Sequence, residues 1–314
     1  MWKYVLKKLL LAIPVLLGIT IIDYAIMSLA GSPLDMLVGP RVTEGTIAAR
    51  AAKWGLDQPV YVQYWNWLTE VVQGNLGYSF KSYQPVAELI GSHVGPTLLL
   101  MGASMVLGLL LAVPAGIYSA VHRYQKRDYA VVSSSFLFSS IPGFFLALIL
   151  IYLFTVVLGW LPSSGMYTPG TGGDAMDVIR HLIMPALVLA VGVAGGNIRY
   201  IRSAVLEILE MDYLRTARAK GLGRRIVIRK HALRNALLPI ITVIGMQIPT
   251  LFGGAVIVEQ IFSWPGLGLI TMNAVTGRDY PVIMGVCLLS AVVVLLSNLL
   301  TDILYALVDP TIKY

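Results

Sequence analysis

The chain has 314 residues, of which 57% are apolar and only 12% are Asp, Glu, Lys or Arg. That charge content is about half of the roughly 25% usual in soluble domains, too little to cover the surface of a water-soluble fold. The net charge is +7, yet the Lys and Arg residues sit in a few loops between apolar blocks and are not interleaved with aromatics, which argues for a membrane topology signal and against nucleic acid.

The first apolar run, residues 9–29, follows Lys3, Lys7 and Lys8. It is longer than the core of a cleaved signal, so the expectation is a retained membrane anchor. About 20 apolar residues of helix cross a hydrocarbon core, and a helix satisfies its own backbone where lipid offers no partner. Residues 31–96 then form a large external region. A short helix is predicted over 43–54, a stop and turn at Gly55-Leu56-Asp57-Gln58-Pro59, and an aromatic-rich interfacial helix over 61–72. A loop of this length is either functional or a folded lid over helix ends, and the residues alone leave both open.

Further spans are predicted at 97–120, 130–158 and 181–203, with Pro114, Pro142 and Pro185 as kink sites. Residues 204–238 form a second large region outside the bilayer. Val205, Ile208 and Leu209 mark one helix face, Gly221 and Gly223 break the chain, and a second short helix starts near Arg224. Pro239 opens the fifth span, 239–261, where a missing N–H is tolerated. Within it Pro249, followed by Gly253 and Gly254, marks a moving, pathway-lining helix. The sixth span covers 282–307.

Seventeen Lys and Arg fall on the side that holds both termini and the region 204–238, against six on the other. Both termini are therefore expected in the cytoplasm. Asp23 and Asp302, near opposite helix ends, are read as structural partners of neighbouring helices or headgroups.

Nothing catalytic is visible. There is no phosphate loop, and Gly221-Leu222-Gly223 lacks the Lys-Ser/Thr that would follow one. There is no H-E-x-x-H or G-x-S-x-G pattern. One cysteine, Cys287, and four scattered histidines make neither a disulfide nor a metal site. Uphill transport would need a partner chain or an ion gradient.

The region 204–238 contains Asp212-Tyr213-Leu214-Arg215-Thr216-Ala217-Arg218-Ala219-Lys220-Gly221-Leu222 and later Leu238-Pro239. This resembles the cytoplasmic loop of ABC-importer membrane subunits of the peptide/nickel branch. The wider pattern is Glu-Ala-Ala, three residues, Gly, then Leu-Pro. Ala217, Gly221 and Leu238-Pro239 fit it, while Arg215 and Thr216 replace the Glu and the first Ala. Gly55-Leu56-Asp57-Gln58-Pro59, Gly74-Asn75-Leu76-Gly77, Trp264-Pro265-Gly266-Leu267-Gly268, Arg278-Asp279-Tyr280-Pro281 and Asp309-Pro310 extend the resemblance along nearly the whole chain. Together they are similar to the B-type permease subunit of dipeptide and oligopeptide importers.

The resemblance implies an all-α membrane protein with about six spans, a type I ABC-importer permease fold, in a bacterial inner membrane. It implies a second homologous permease, two ATP-binding subunits that hold the ATP and Mg, and an extracytoplasmic substrate-binding protein. This chain would carry no cofactor and would not be an enzyme. Tyr213, Arg215, Thr216, Ala217, Arg218, Lys220, Gly221 and Leu222 would couple to the ATPase. Phe262, Trp264, Pro265 and Gly266 would lie at the outer mouth and meet the binding protein. The same branch also handles glutathione, oligosaccharides, nickel and metal chelates. The competing classes are a self-sufficient ion-coupled transporter, which the lack of mid-span acid–base pairs disfavours, and a membrane enzyme, for which no polar cluster assembles.

Overall fold

The computed structural model describes residues 2–37, 44–170, 173–223, 226–232 and 255–308, with 235–236, 245, 247 and 251 as isolated pieces. In chain order the described helices are α1 (Trp2–Leu29), α2 (Glu44–Trp54), α3 (Val60–Val72), α4 (Val86–Val121), α5 (Lys126–Ser140) and α6 (Gly143–Leu150). They continue with α7 (Ala175–Leu209), α8 (Asp212–Ala219), α9 (Val256–Ile261), α10 (Leu267–Thr276) and α11 (Tyr280–Val308). A 3-10 turn (Pro33–Leu37) follows α1, and π-type turns cover Ile151–Val157 and Val227–Ala232. Among the described residues there is no strand, only an isolated bridge between Tyr78 and Pro85.

Of the six spans expected, α1, α4, α7 and α11 are long and apolar enough to cross a bilayer. The third is broken. α5 and α6 meet at Ile141 and Pro142 with a bend of 93° and make a fifth span only as a bent pair. The cause is local: Ile141, before a proline, sits in the extended region at φ −76° and ψ 120°, because proline disfavours the helical conformation of its predecessor. The fifth expected span, 239–261, lies largely outside the described residues, and α9 is its end.

Two ends of the molecule can be told apart. At one, Tyr280 on α11 donates to the Met27 carbonyl of α1 at 2.7 Å, and Val86 and Ile90 of α4 pack with Val282 and Val286. At the other, Asp302 accepts from Lys8 at 2.5 Å and from Tyr4 at 3.1 Å. Asp302 thus takes the structural part expected of it. α1 is held mainly by α11 and turns Ile22, Ile26 and Leu29 outward.

α4 and α7 run side by side in the same direction. Their spacing is set by glycine: a Cβ on Gly108 would stand 2.6 Å from Val193 Cγ1, and one on Gly116 would stand 2.9 Å from both the Ile198 carbonyl and Ile201 Cβ. Small residues at this seam let two backbones approach, which is how membrane helices gain packing without a hydrophobic driving force. Ala112, Ala194, Ile198 and Ile201 fill the rest.

Between α1 and α4, the helices α2 and α3 lie where the pattern predicts them. Gly55, at φ +68°, ends the first as the Gly-Leu-Asp-Gln-Pro stretch requires. The Arg278-Asp279-Tyr280 triplet ties this stretch to the start of α11. Asp279, buried, accepts from the Ser79 hydroxyl at 2.5 Å and the Phe80 N–H at 3.0 Å, while Arg278 pairs with Asp35 at 2.5 Å. Trp54 stacks on Phe80 with ring centroids 4.2 Å apart.

Candidate functional site

The elbow that follows residue 204 is built on the end of α7. α8 seats itself through Leu214, which is 0% exposed and packs with Val227 and Ala232, with Ile208, Leu209 and Ala217 around them. The helix ends in a Schellman-type turn: Gly221 adopts φ +81°, and the Leu222 N–H reaches back to the Ala217 carbonyl at 3.4 Å. This is why a glycine stands there. The opposite face of α8 is open. Tyr213, Arg215, Thr216, Lys220, Gly221 and Leu222 are exposed, Ala217 is half-buried, and Arg218 lies on the helix between them. Arg215 makes a surface ion pair with Asp212 at 3.6 Å, and Tyr213 accepts from the Asn235 amide at 2.7 Å. The sequence reading named the outward residues but not Leu214, whose burial orients them. A recess of about 680 Å³ separates the elbow from the end of α4, bordered by Arg123, Glu210 and Arg215.

A cross-tie braces the helix that carries this elbow. Asp128, on the first turn of α5, is buried and receives both arms of the Arg202 guanidinium, at 2.7 and 2.8 Å. It also accepts from the Ser119 hydroxyl and from the Tyr124 N–H at 2.9 Å. Four donors on one carboxylate bind α4, the turn after it, α5 and α7 into one unit. Arg123 and Glu210 form a second link between the end of α4 and the elbow. A bidentate pair of this kind is geometrically specific as well as strong. The local sequence does not show the cross-tie, because an arginine at a helix end normally reaches to the interface and the partner of Arg202 lies 74 residues away.

At the opposite end, the residues expected to meet a binding protein are found in the loop between α9 and α10. Phe262 and Trp264 are buried within this chain, Gly266 is buried, and Pro265 is half-buried. Ser263, at φ +45°, is exposed. The Trp264 indole donates to the Pro96 carbonyl of α4 at 2.9 Å. Glu259 of α9 organises the loop from inside. It is 0% exposed and accepts from Thr97 Oγ1 at 3.1 Å, the Leu269 N–H at 3.0 Å and the Ala255 N–H at 3.4 Å. Thr97 in turn accepts from the Leu267 N–H at 2.7 Å. Glu259 falls inside the fifth expected span, 239–261, and nothing in the local sequence marks it as a buried acceptor. Pro249, Gly253 and Gly254, expected to line the pathway, lie outside the described residues.

Residues 112–314 match the family model described as the binding-protein-dependent transport system inner membrane component, and residues 1–101 match the N-terminal model of the same system. The chain belongs to this family of transport permeases. It is accordingly a multi-pass protein of the inner membrane. Along its full length it is 46% identical to the oligopeptide transport system permease protein AppB of Bacillus subtilis, covering 100% of both chains. A putative peptide permease protein of Brucella ovis is also 46% identical, with 100% and 99% covered. The glutathione transport system permease protein GsiC of Salmonella typhi is 40% identical over 100% of both. Among solved structures, the inward-facing MetNI methionine ABC transporter superposes with a TM-score of 0.57 at 23% identity, over 71% of this permease and 97% of that chain. At that identity the match establishes the shared fold alone. Membership in the family implies an ATPase and a substrate-binding protein as partners of this permease.

Proposed function

We propose that this permease is half of the membrane channel of an ATP-driven importer of short peptides, delivered by an extracytoplasmic substrate-binding protein. The similarity to peptide permeases over the whole chain carries this reading. A second, homologous permease supplies the other half, and two ATP-binding subunits sit below. ATP and Mg belong to those subunits, and this chain contributes no catalytic group. Both termini and the elbow face the cytoplasm, on the strength of the Lys and Arg distribution.

The mechanism follows from how the elbow is mounted. α8 is fixed on one side by Leu214 and free on the other, so Tyr213, Arg215, Thr216, Ala217, Arg218, Lys220 and Leu222 offer small, aromatic and cationic groups to a groove in the ATPase. A displacement of α8 passes into α7, on whose end it sits. The Asp128–Arg202 cross-tie and the glycine seam then move α4 and α5 with α7 as one body. Pro249, Gly253 and Gly254 act as a hinge of the fifth span, a role that the sequence supports. At the outer mouth, Phe262, Trp264 and Gly266 hold the shape of a loop that presents Ser263 and Pro265 to the binding protein.

Glutathione is the second reading, favoured by the 40% identity to GsiC. The experiment is mild-detergent purification from the native host with mass spectrometry of what co-purifies, followed by uptake in proteoliposomes. Recovery of a second permease and ATPase chains, with uptake of labelled di- or oligopeptides, is expected. Uptake of glutathione alone would select the second reading. A chain that purifies alone and transports alone along an ion gradient would overturn both.

A further inference from the structure

The Glu259 network joins three outer elements with polar groups. Thr97 stands one residue after Pro96, inside α4. Glu259 stands on α9, and Leu267 and Leu269 stand on the first turn of α10. The carboxyl group fills the space beside two glycines. A Cβ on Gly266 would lie 2.5 Å from Glu259 Cδ and from Thr97 Oγ1, and one on Gly268 would lie 2.9 Å from Glu259 Oε2. Among the described residues no ion pair reaches Glu259. Its stabilisation comes from three donors, all supplied by this one arrangement.

A permanent joint would be cheaper in hydrocarbon. Replacing both partners of a buried hydrogen bond with apolar groups of the same shape is nearly neutral or stabilising. A polar joint behaves differently when pulled apart. Two apolar faces stay unsatisfied in water, whereas a carboxyl, a hydroxyl and three N–H groups are all satisfied by it. Intermediate positions are the costly ones, because a partly opened, dry joint leaves donors and acceptors unpaired. Such a joint has two stable settings, closed and dry or open and wet.

We propose that Glu259 is the latch of an outer gate: its carboxyl group holds the loop 262–268 against the Pro96–Thr97 step of α4, and the joint opens and rehydrates in each transport cycle. Glu259 is a positioning residue here; it acts through the loop and not on cargo. The inference rests on the transporter reading, but not on which cargo moves.

Leu100 supplies the reporter. It is 0% exposed, one turn further along α4, and packed with Ala186 and Trp264. A thiol placed there is reached from outside only when Trp264 and its loop lift away. The test uses the complete importer in proteoliposomes, with Leu100→Cys in a Cys287→Ala background so that the reporter is the only cysteine of this chain. A membrane-impermeant methanethiosulfonate is added outside. In the resting complex labelling is slow, and under ATP-driven turnover it accelerates at least tenfold. Glu259→Ala and Thr97→Val label at least tenfold faster at rest, while Thr97→Ser, which keeps the hydroxyl, stays protected. If Glu259→Ala does not assemble, the Thr97→Val and Thr97→Ser pair decides alone. Protection that persists through active turnover overturns the latch, as does a Thr97→Val complex that labels like wild type. Faster labelling without peptide uptake leaves the latch standing and removes the peptide reading alone.

Discussion

Leu214→Ala tests how the elbow is held. The side chain is 0% exposed, and among the described residues the buried cluster it joins holds Val227 and Ala232 besides itself. Leu→Ala in a core costs about 2–5 kcal/mol, less where the surroundings collapse into the space. This cluster is small and lies under a short helix, so the lower part of that range applies, about 2–3 kcal/mol. Each 1.4 kcal/mol is about a factor of ten, so the seated elbow loses roughly 100-fold against its detached form. Hydrogen exchange measures this directly. Amides of α8 and its closing turn, including Lys220 and Leu222, should exchange up to about 100-fold faster, since local opening sets their protection. Those of α4 should not change. Arg215→Ala is the contrast. Its one ion pair is on the surface and worth about 0.2–1 kcal/mol, so exchange in α8 should move by only a few-fold. Both variants should lower cargo moved per ATP, Leu214→Ala by loosening the elbow and Arg215→Ala by weakening its docking. The reasoning fails if Leu214→Ala leaves α8 protected, or if the loss of protection spreads evenly through α4 and α7.

Three further outcomes follow from the geometry. Arg202→Leu leaves Asp128 buried without its guanidinium and should cost about 3–5 kcal/mol; the melting temperature in detergent should recover in part in the double variant Asp128→Leu/Arg202→Leu. Gly116→Ala puts a methyl 2.9 Å from the Ile198 carbonyl and should lower the melting temperature through about 1–3 kcal/mol of overpacking, whereas Gly102→Ala, with nothing within 4 Å of the added carbon, should leave it unchanged. Trp264→Phe keeps most of the buried ring but loses the bond to the Pro96 carbonyl, about 0.5–1.5 kcal/mol; Trp264→Ala should cost about 3–5 kcal/mol, and the same thermal assay separates the two.

The limits of reading by pattern show most clearly at helix ends and at long-range polar contacts. The second span is expected from residue 97, yet α4 begins at Val86 and carries Pro96 inside it. Proline is tolerated inside membrane helices, so Pro96 marks no helix boundary here. The fourth span is expected over 181–203, yet α7 runs to Leu209 because Val205, Ile208 and Leu209 continue its packed face. The elbow residues are singled out by the resemblance; of the local signals, the Gly221 stop is the one the residues themselves carry. Leu214 was harder to single out, since its burial depends on Val227 and Ala232 folding back beneath it.

Some properties of this permease follow from its sequence alone. Long apolar runs decide that it lives in a bilayer, because hydrocarbon admits only segments that satisfy their own backbone. The glycines and prolines at 55–74 decide where α2 ends and where α3 begins and ends, because glycine admits the left-handed turns at Gly55 and Gly74 while proline fixes its own φ at Pro59. Tertiary structure alone decides which polar side chains meet. Thr97 and Glu259 are 162 residues apart, and Asp128 and Arg202 are 74 apart. Nothing local marks either carboxyl group, since a carboxyl on a helix face looks the same in sequence whether it meets water, lipid or three donors. Only the folded chain supplies the donors.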